Sequence, residues 1–209
     1  NLRSQVTGIS LNLEIIRDEH PELLKGEMFP ILLKASERLT NTLKDLNEIV
    51  EMSSSIEAQL KILSLKRVLD QTIEGIRMLA YNASVLIIND VPEHIKVKAI
   101  PVYLESIIHN FITNSIRYRS KNRESFIRIT ALEDDEFTVI TFTDNGLGID
   151  LGQHRESLFG MFNTFHDHPE SRGIGLYITK RQIEAMGGYI DVESKLDKGT
   201  SFHVFLPVP

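Results

Sequence analysis

Three clusters in this 209-residue chain bring together side chains that could do chemistry. The first is Asp144-Asn145-Gly146-Leu147-Gly148, which follows Thr141 to Thr143 where a strand pattern ends. A carboxylate stands at the strand end, and two glycines let the backbone pass close to something flat or anionic. Asp-Asn-Gly is equally a hairpin turn, so both readings stay open on these residues alone. The second cluster is Asn110 and Asn114, four residues apart and therefore on one helix face, with Arg117 and Tyr118 one turn on. Amide oxygens are hard ligands suited to Mg²⁺, and a guanidinium meets phosphate oxygens in a fork. The same stripe also reads as a solvated polar face. The third is Ser171-Arg172-Gly173-Ile174-Gly175-Leu176 directly before a helix, where backbone N–H groups could bind phosphate. It lacks a preceding βαβ pattern, so a dinucleotide fold is not indicated. Between the first and the third lie Leu158-Phe159-Gly160-Met161-Phe162-Asn163-Thr164-Phe165-His166-Asp167-His168-Pro169, whose aromatics could anchor a lid over a phosphate site. His166 and His168 lack a firm third metal ligand.

The elements that must position these residues fall into two groups. In the first fifty residues, Leu2, Val6, Ile9, Leu13 and Ile16 are spaced four and three apart, as are Met28, Leu32, Ala35, Leu39, Thr42, Leu46 and Ile49 beyond a turn at His20-Pro21 and Gly26. Seven-residue spacing in two consecutive segments predicts an antiparallel helical hairpin. Ile15, Ile31, Leu43 and Val50 widen its apolar stripe, so a four-helix bundle formed by two copies is expected. The alternative is a hairpin packed on its own chain. Met52-Ser53-Ser54-Ser55 ends the periodicity and reads as a hinge. Beyond it the pattern predicts strands at 60–64, 85–88, 126–132, 137–142, 189–193 and 201–206, and helices at 65–82, from Pro101 to about Tyr118, and at 174–186. The expected fold class is α+β: a dimerisation hairpin over 1–55, then over 56–209 an α/β sandwich with one mixed sheet covered by helices.

Composition narrows the functions. The chain is 42% hydrophobic and 25% charged, with a net charge of -6, which argues against general nucleic-acid binding. It has no cysteine, hence neither disulfides nor thiolate metal sites. No apolar run reaches the roughly 18 residues of a membrane span, so no membrane contact by these residues is expected. A cytoplasmic setting suits the modest acidity.

In order, Asn-x-x-x-Asn on a helix, Asp-x-Gly-x-Gly after a strand, a Phe-rich loop, Gly-x-Gly-Leu before a helix and Lys198-Gly199-Thr200 before the last strand resemble the catalytic half of a sensor histidine kinase. That nucleotide-binding (Bergerat-type) fold is shared with type II topoisomerases, mismatch-repair ATPases and the ninety-kilodalton heat-shock chaperones. The resemblance implies ATP and Mg²⁺ as cofactors. Asn114 would ligate Mg²⁺, and Asn110 would support the metal or the phosphates. Arg117, where the family usually has Lys, would touch the phosphates beside Tyr118. Asp144 would accept the adenine amino group, a carboxylate being the fitting partner for an exocyclic amine. Gly146 and Gly148 would leave room for the ring, with Thr200 near it. Ser171, Arg172, Gly173, Ile174, Gly175 and Leu176 would follow the triphosphate, Ser171 standing where many members have a further glycine.

Asn1-Leu2-Arg3-Ser4-Gln5 resembles the dimerisation-helix motif, which places the phosphoacceptor His immediately before Asn1. In the chain as given that His is absent, so it could not phosphorylate itself. Asn1 replaces the usual acidic residue, and an amide cannot take a proton. His20 lies by the turn and His109 within the nucleotide helix, which makes both the wrong acceptors. The resemblance implies a homodimer through residues 1–55 and a response-regulator receiver domain as partner. Two rivals remain. A hydrolase of the same fold places a Glu four residues before the metal-binding Asn; here that residue is Asn110, and Glu105 is about half a turn out of phase. A nucleotide-gated scaffold without transferase activity is favoured by Asn1 and opposed by the intact nucleotide motifs. A serine kinase acting on anti-sigma antagonists would not need the heptad hairpin.

Overall fold

A pair of helices, then a unit of mixed strands and helices, follows from the apolar periodicities. The computed structural model describes residues 2–51, 59–161, 163 and 173–209, with side chains excepted at 2, 3, 38, 41 and 44–51. The hinge expected at Ser53 to Ser55 and the pair His166 and His168 lie outside the described residues, as does most of the lid segment beyond Met161. The chain divides into two compact units, Asn1–Glu51 and Met52–Pro209.

In the first unit, α1 (Leu2–Glu19) and α2 (Met28–Glu51) flank a 3₁₀ turn at Pro21–Lys25. Pro30 falls in the first turn of α2, where its missing N–H costs nothing. Ser10 Oγ lies 2.9 Å from Ser36 Oγ and 3.0 Å from Thr40 Oγ1. Val6, Phe29 and Ser36 are buried, and Leu13 and Leu33 half-buried. The heptad positions Met28, Leu32 and Leu39 are instead exposed, at 70, 50 and 46%, as are Ile9 and Ile16. In α2 the covered seam is thus one residue on from the apolar repeat, about 100° around the helix axis. Two helices cover a seam narrower than the stripe that the sequence carries.

In the second unit the main sheet has five strands. From one edge to the other they are β2 (Val85–Asn89), β4 (Ser125–Glu133), β5 (Phe137–Asp144), β7 (Gly199–Pro207) and β6 (Tyr189–Lys195). Only β2 and β4 are parallel; the other pairs are antiparallel, so the sheet is mixed. Asp134 Oδ1 accepts from the N–H groups of Glu136 and Phe137 and closes the β4–β5 turn. The helices are α3 (Leu65–Asn82), α4 (Pro101–Arg117) and α6 (Gly175–Ala185), with a single turn, α5 (Leu151–His154), whose Asp150 cap accepts from Gly152 N–H. A separate two-stranded sheet, β1 (Lys61–Ser64) with β3 (Lys96–Ala99), was not expected. β3 is four residues of alternating Lys and apolar side chains, with Val97 and Ala99 buried, too short a run to stand out in sequence.

The core lies between the helices and one face of the sheet. Phe111 of α4 packs between Phe142 of β5 and Phe202 of β7, with both ring centroids 4.8 Å away. Ile108 and Ile112 of α4 and Ile127 and Ile129 of β4 are fully buried around it. Burial of four such side chains contributes roughly 1.5–3 kcal/mol each, enough to fix the rotation of α4 about its axis. That rotation decides where the polar residues of α4 point.

Candidate active site

Asp144 is the last residue of β5, and its half-buried carboxylate is held by three donors. Oδ1 accepts from Gly146 N–H at 2.8 Å and Thr200 N–H at 3.3 Å, and Oδ2 accepts from Ser115 Oγ at 3.1 Å. Burial raises its pKa above the ordinary carboxylate value, and the three hydrogen bonds only partly offset that. The segment after it is no hairpin turn, because the next element is α5. Leu147 N–H donates to Tyr118 O and Asp197 N–H to Leu147 O, which pins the loop between the end of α4 and the β6–β7 turn. A Cβ on Gly146 would come 2.6 Å from Tyr118 O, too close for any side chain. Gly148 sits at φ +69 with its Cα facing the Lys195 carbonyl, so both glycines are required by the backbone packing itself.

The amide stripe forms the other end. Asn110 Nδ2 donates to Thr179 Oγ1 of α6 at 2.7 Å, and Asn114 Nδ2 donates to Asn110 Oδ1 at 3.3 Å. Arg117 Nη1 donates to Asn114 Oδ1 at 3.2 Å. The start of α6 comes against this stripe: a Cβ on Gly175 would lie 2.6 Å from Asn110 Oδ1. Gly173 is at φ +67, the Ile174 side chain is buried, and Leu176 is half-buried. Ser171 and Arg172 lie outside the described residues. Asn110 and Ser115 are five residues apart on α4, about 7.5 Å of axial rise. One helix therefore joins the carboxylate end to the amide end.

The arrangement offers a buried acceptor for an N–H donor at one end and amides, a guanidinium and a helix start for an anion at the other. Among the described residues, no group of three or more His, Cys, Asp and Glu side chains could hold a metal. Mg²⁺ keeps several waters and shares substrate phosphates, so it needs few protein ligands, and an amide oxygen such as Asn114 Oδ1, which here accepts from Arg117, is a hard donor of the kind it takes. Glu105 is exposed on a different face of α4, in a groove with Gln71, Thr72, Gly75, Ser106 and His109. It stands away from the amide stripe.

Three supporting residues were missed from sequence: Ser115, Thr179 and Ser194. Each is a polar residue at a position where the period calls for an apolar one, and that interruption was the available signal. Ser115 follows Phe111 on the buried face of α4, Thr179 follows Ile178 in α6, and Ser194 continues the inward alternation of Ile190 and Val192 in β6.

Comparison with known proteins agrees with this architecture. Residues 99–209 match the family described as histidine kinase-, DNA gyrase B-, and HSP90-like ATPase. The methanogenesis regulatory histidine kinase FilI of Methanothrix harundinacea (strain 6Ac) is 35% identical over 106 residues, 51% of this chain and 12% of its own length. The sensor protein SrrB of Staphylococcus aureus (strain NCTC 8325 / PS 47) is 36% identical over 111 residues, 51% of this chain and 18% of its own. The match thus spans less than a fifth of the length of these curated relatives. Full-length ShkA in complex with AMPPNP shares the fold at TM-score 0.76 and 20% identity, over 99% of this chain and 44% of that one. Acinetobacter baumannii histidine kinase AdeS does so at 0.66 and 19%, over 94% of each chain. Since the family match covers more than half of the residues, including both ends of the site, the chain belongs to the histidine kinase-, DNA gyrase B- and HSP90-like ATPases.

Proposed function

We propose that this chain is the dimerisation and ATP-binding core of a protein-histidine kinase in a two-component system. The observation that carries the reading is the pairing, through α4, of the Asp144 carboxylate with the Asn110–Asn114–Arg117 stripe. Relatives named as a histidine kinase and a sensor protein each match over 51% of the chain. In the reaction a His imidazole nitrogen attacks the γ-phosphorus of ATP, the bond to the β–γ bridging oxygen breaks, and ADP leaves. The phosphoryl group then passes to an Asp of a response-regulator receiver domain.

Asp144 accepts the adenine amine, Gly146 and Gly148 let the loop behind it pack closely on Tyr118 O and Lys195 O, and Thr200 lies beside it. Asn110 and Arg117 hold phosphate oxygens, and the backbone from Gly173 to Leu176 follows them into the start of α6, with Tyr118 at the margin of the site. Asn114 Oδ1 would hold Mg²⁺, which when bound neutralises phosphate charge. Catalysis of this kind is positioning and charge stabilisation, so the rigidity of α4 matters more than any one acid or base. A hydrolase is not favoured, because the position four before Asn114 is an amide and Glu105 faces a different groove. A scaffold without transferase activity is not favoured either, because the relative FilI is named as a histidine kinase.

The test is phosphotransfer. In the full protein, ATP labelled at the γ-phosphate should place base-stable, acid-labile phosphate on a His immediately before Asn1. Acid-stable label on Ser or Thr, or release of inorganic phosphate alone, would count against a histidine kinase.

Residues 1–55 serve as the dimerisation hairpin in this reading, and 56–209 as the catalytic domain. The exposed Ile9, Ile16, Leu32 and Leu39 support it, because a second hairpin would cover them and complete a four-helix bundle. Sedimentation equilibrium at micromolar concentration is expected to give twice the chain mass, and replacing Leu32 and Leu39 by Glu should give the monomer mass. A monomeric unsubstituted chain would remove the bundle from the proposal.

A further inference from the structure

Asp144, Thr200 and Ser194 are cross-strand neighbours in one row over β5, β7 and β6. Ser194 belongs to none of the family motifs traced in the sequence, yet its hydroxyl is saturated. It accepts from Ile149 N–H at 2.8 Å, donates to Gly199 O at 2.9 Å, and lies 2.8 Å from Thr200 Oγ1. A serine hydroxyl has one proton and two lone pairs. With the proton on Gly199 O and one lone pair on Ile149 N–H, what remains for Thr200 is a lone pair. Thr200 Oγ1 is then the donor of that contact, and its own lone pairs are the part it can present to a ligand. Beside it, Thr200 N–H is already committed to Asp144 Oδ1.

We propose that Ser194 is a positioning residue that fixes Thr200 as a hydrogen-bond acceptor, and that Thr200 thereby makes the site discriminate between a 6-amino and a 6-oxo purine. The inference rests on the adenine assignment of Asp144. Two acceptors side by side, the Asp144 carboxylate and the Thr200 hydroxyl, suit the two N–H bonds of an exocyclic amine. A 6-oxo purine still offers N1–H to the carboxylate, but its O6 would face the lone pairs of Thr200 with no proton between them. Such a repulsive element is how a site rejects a near-isostere. If Ser194 were absent, the Thr200 hydroxyl could turn and donate to O6, and the rejection would relax. Ser194 also ties the loop after Gly148 to the β6–β7 turn, so its loss has a structural effect that the test must separate.

The experiment is equilibrium binding of ATP and ITP to the chain and to Ser194→Ala, Ser194→Thr, Thr200→Val and the double variant Ser194→Ala/Thr200→Val. The unsubstituted chain should prefer ATP. Ser194→Ala should compress the ATP:ITP preference about three- to tenfold, the worth of one hydrogen bond. Ser194→Thr keeps the hydroxyl and should retain the preference. Thr200→Val, nearly isosteric, should compress it alike, with no further change in the double variant. The proposal is overturned if Ser194→Ala weakens ATP and ITP by the same factor, which is the mark of a purely structural role. It is also overturned if Thr200→Val leaves the ratio unchanged. An unsubstituted chain that binds both nucleotides equally would instead remove the adenine assignment itself, a different failure seen before any variant is compared.

Discussion

Asp144→Asn is expected to raise the Kd for ATP about tenfold to a hundredfold while leaving the fold intact. A hydrogen bond to a charged acceptor is worth about 1.5–3 kcal/mol, and the amide that replaces Oδ2 turns a donor toward the adenine amine. The fold tolerates the change because the remaining oxygen can still serve the N–H groups of Gly146 and Thr200. The new N–H₂ can donate to Ser115 Oγ, whose proton then goes to Phe111 O, already 3.0 Å away. The charge itself is a burden on folding. Burial raises the Asp144 pKa, so the folded state holds the proton more tightly than the unfolded chain does. Its favourable contribution is present below the ordinary Asp value and is lost as pH rises through the raised one. At neutral pH the Asp144→Asn variant should therefore melt no lower than the unsubstituted chain. ATP binding is expected to have the opposite pH dependence: if the carboxylate is the binding form, as proposed, affinity should fall as pH drops through the raised value, and that fall should vanish in the variant. Unchanged ATP affinity in Asp144→Asn, by calorimetry, would take adenine away from this carboxylate.

The second large effect is expected at Asn114. Asn114→Ala removes the amide oxygen proposed to hold Mg²⁺ and, in a protein that includes the acceptor His, should lower phosphoryl transfer about a hundredfold or more, the usual cost of losing a preorganised electrostatic group. The loss should be specific. ATP binding measured with EDTA should be nearly the same in both proteins, whereas the tightening on adding Mg²⁺ should disappear in the variant. Stability should hardly move, because Ala gains about half a kcal/mol in helix propensity. That offsets the half-buried contacts with Asn110 and Arg117. Full Mg²⁺ dependence in Asn114→Ala would move the metal to other residues.

Much of the site was legible before the structure. Asn110 and Asn114 share a face because a helix repeats every 3.6 residues, and Asp144 stands at a strand end because the alternation stops there. Such local periodicity also marks nearly every element of the second unit. It does not say which strands are neighbours. Thr200 donates to Asp144 across 56 residues only because the strand order places β7 beside β5. The polar supports Ser115, Thr179 and Ser194 were visible as interruptions of apolar stripes, but their partners were not. In the first unit the apolar repeat was legible, while the phase of the covered seam depended on which side of α2 meets α1.

What the sequence by itself determined was the set of chemical groups and their spacing: a carboxylate, two amides, a guanidinium and two glycine pairs, in an order that resembles an ATP site. It also determined the helices and strands that carry them. What only the tertiary structure decided was their polarity and reach. The Asn110 amide is turned by Thr179, the Asp144 carboxylate is held by Ser115 and two backbone N–H groups, and the Thr200 hydroxyl lies 2.8 Å from that of Ser194. The physical reason is that hydrogen bonding is directional and short-ranged. It is set by partners that chain folding brings within about 3 Å, and a one-dimensional pattern carries spacing along the chain but not distance across it.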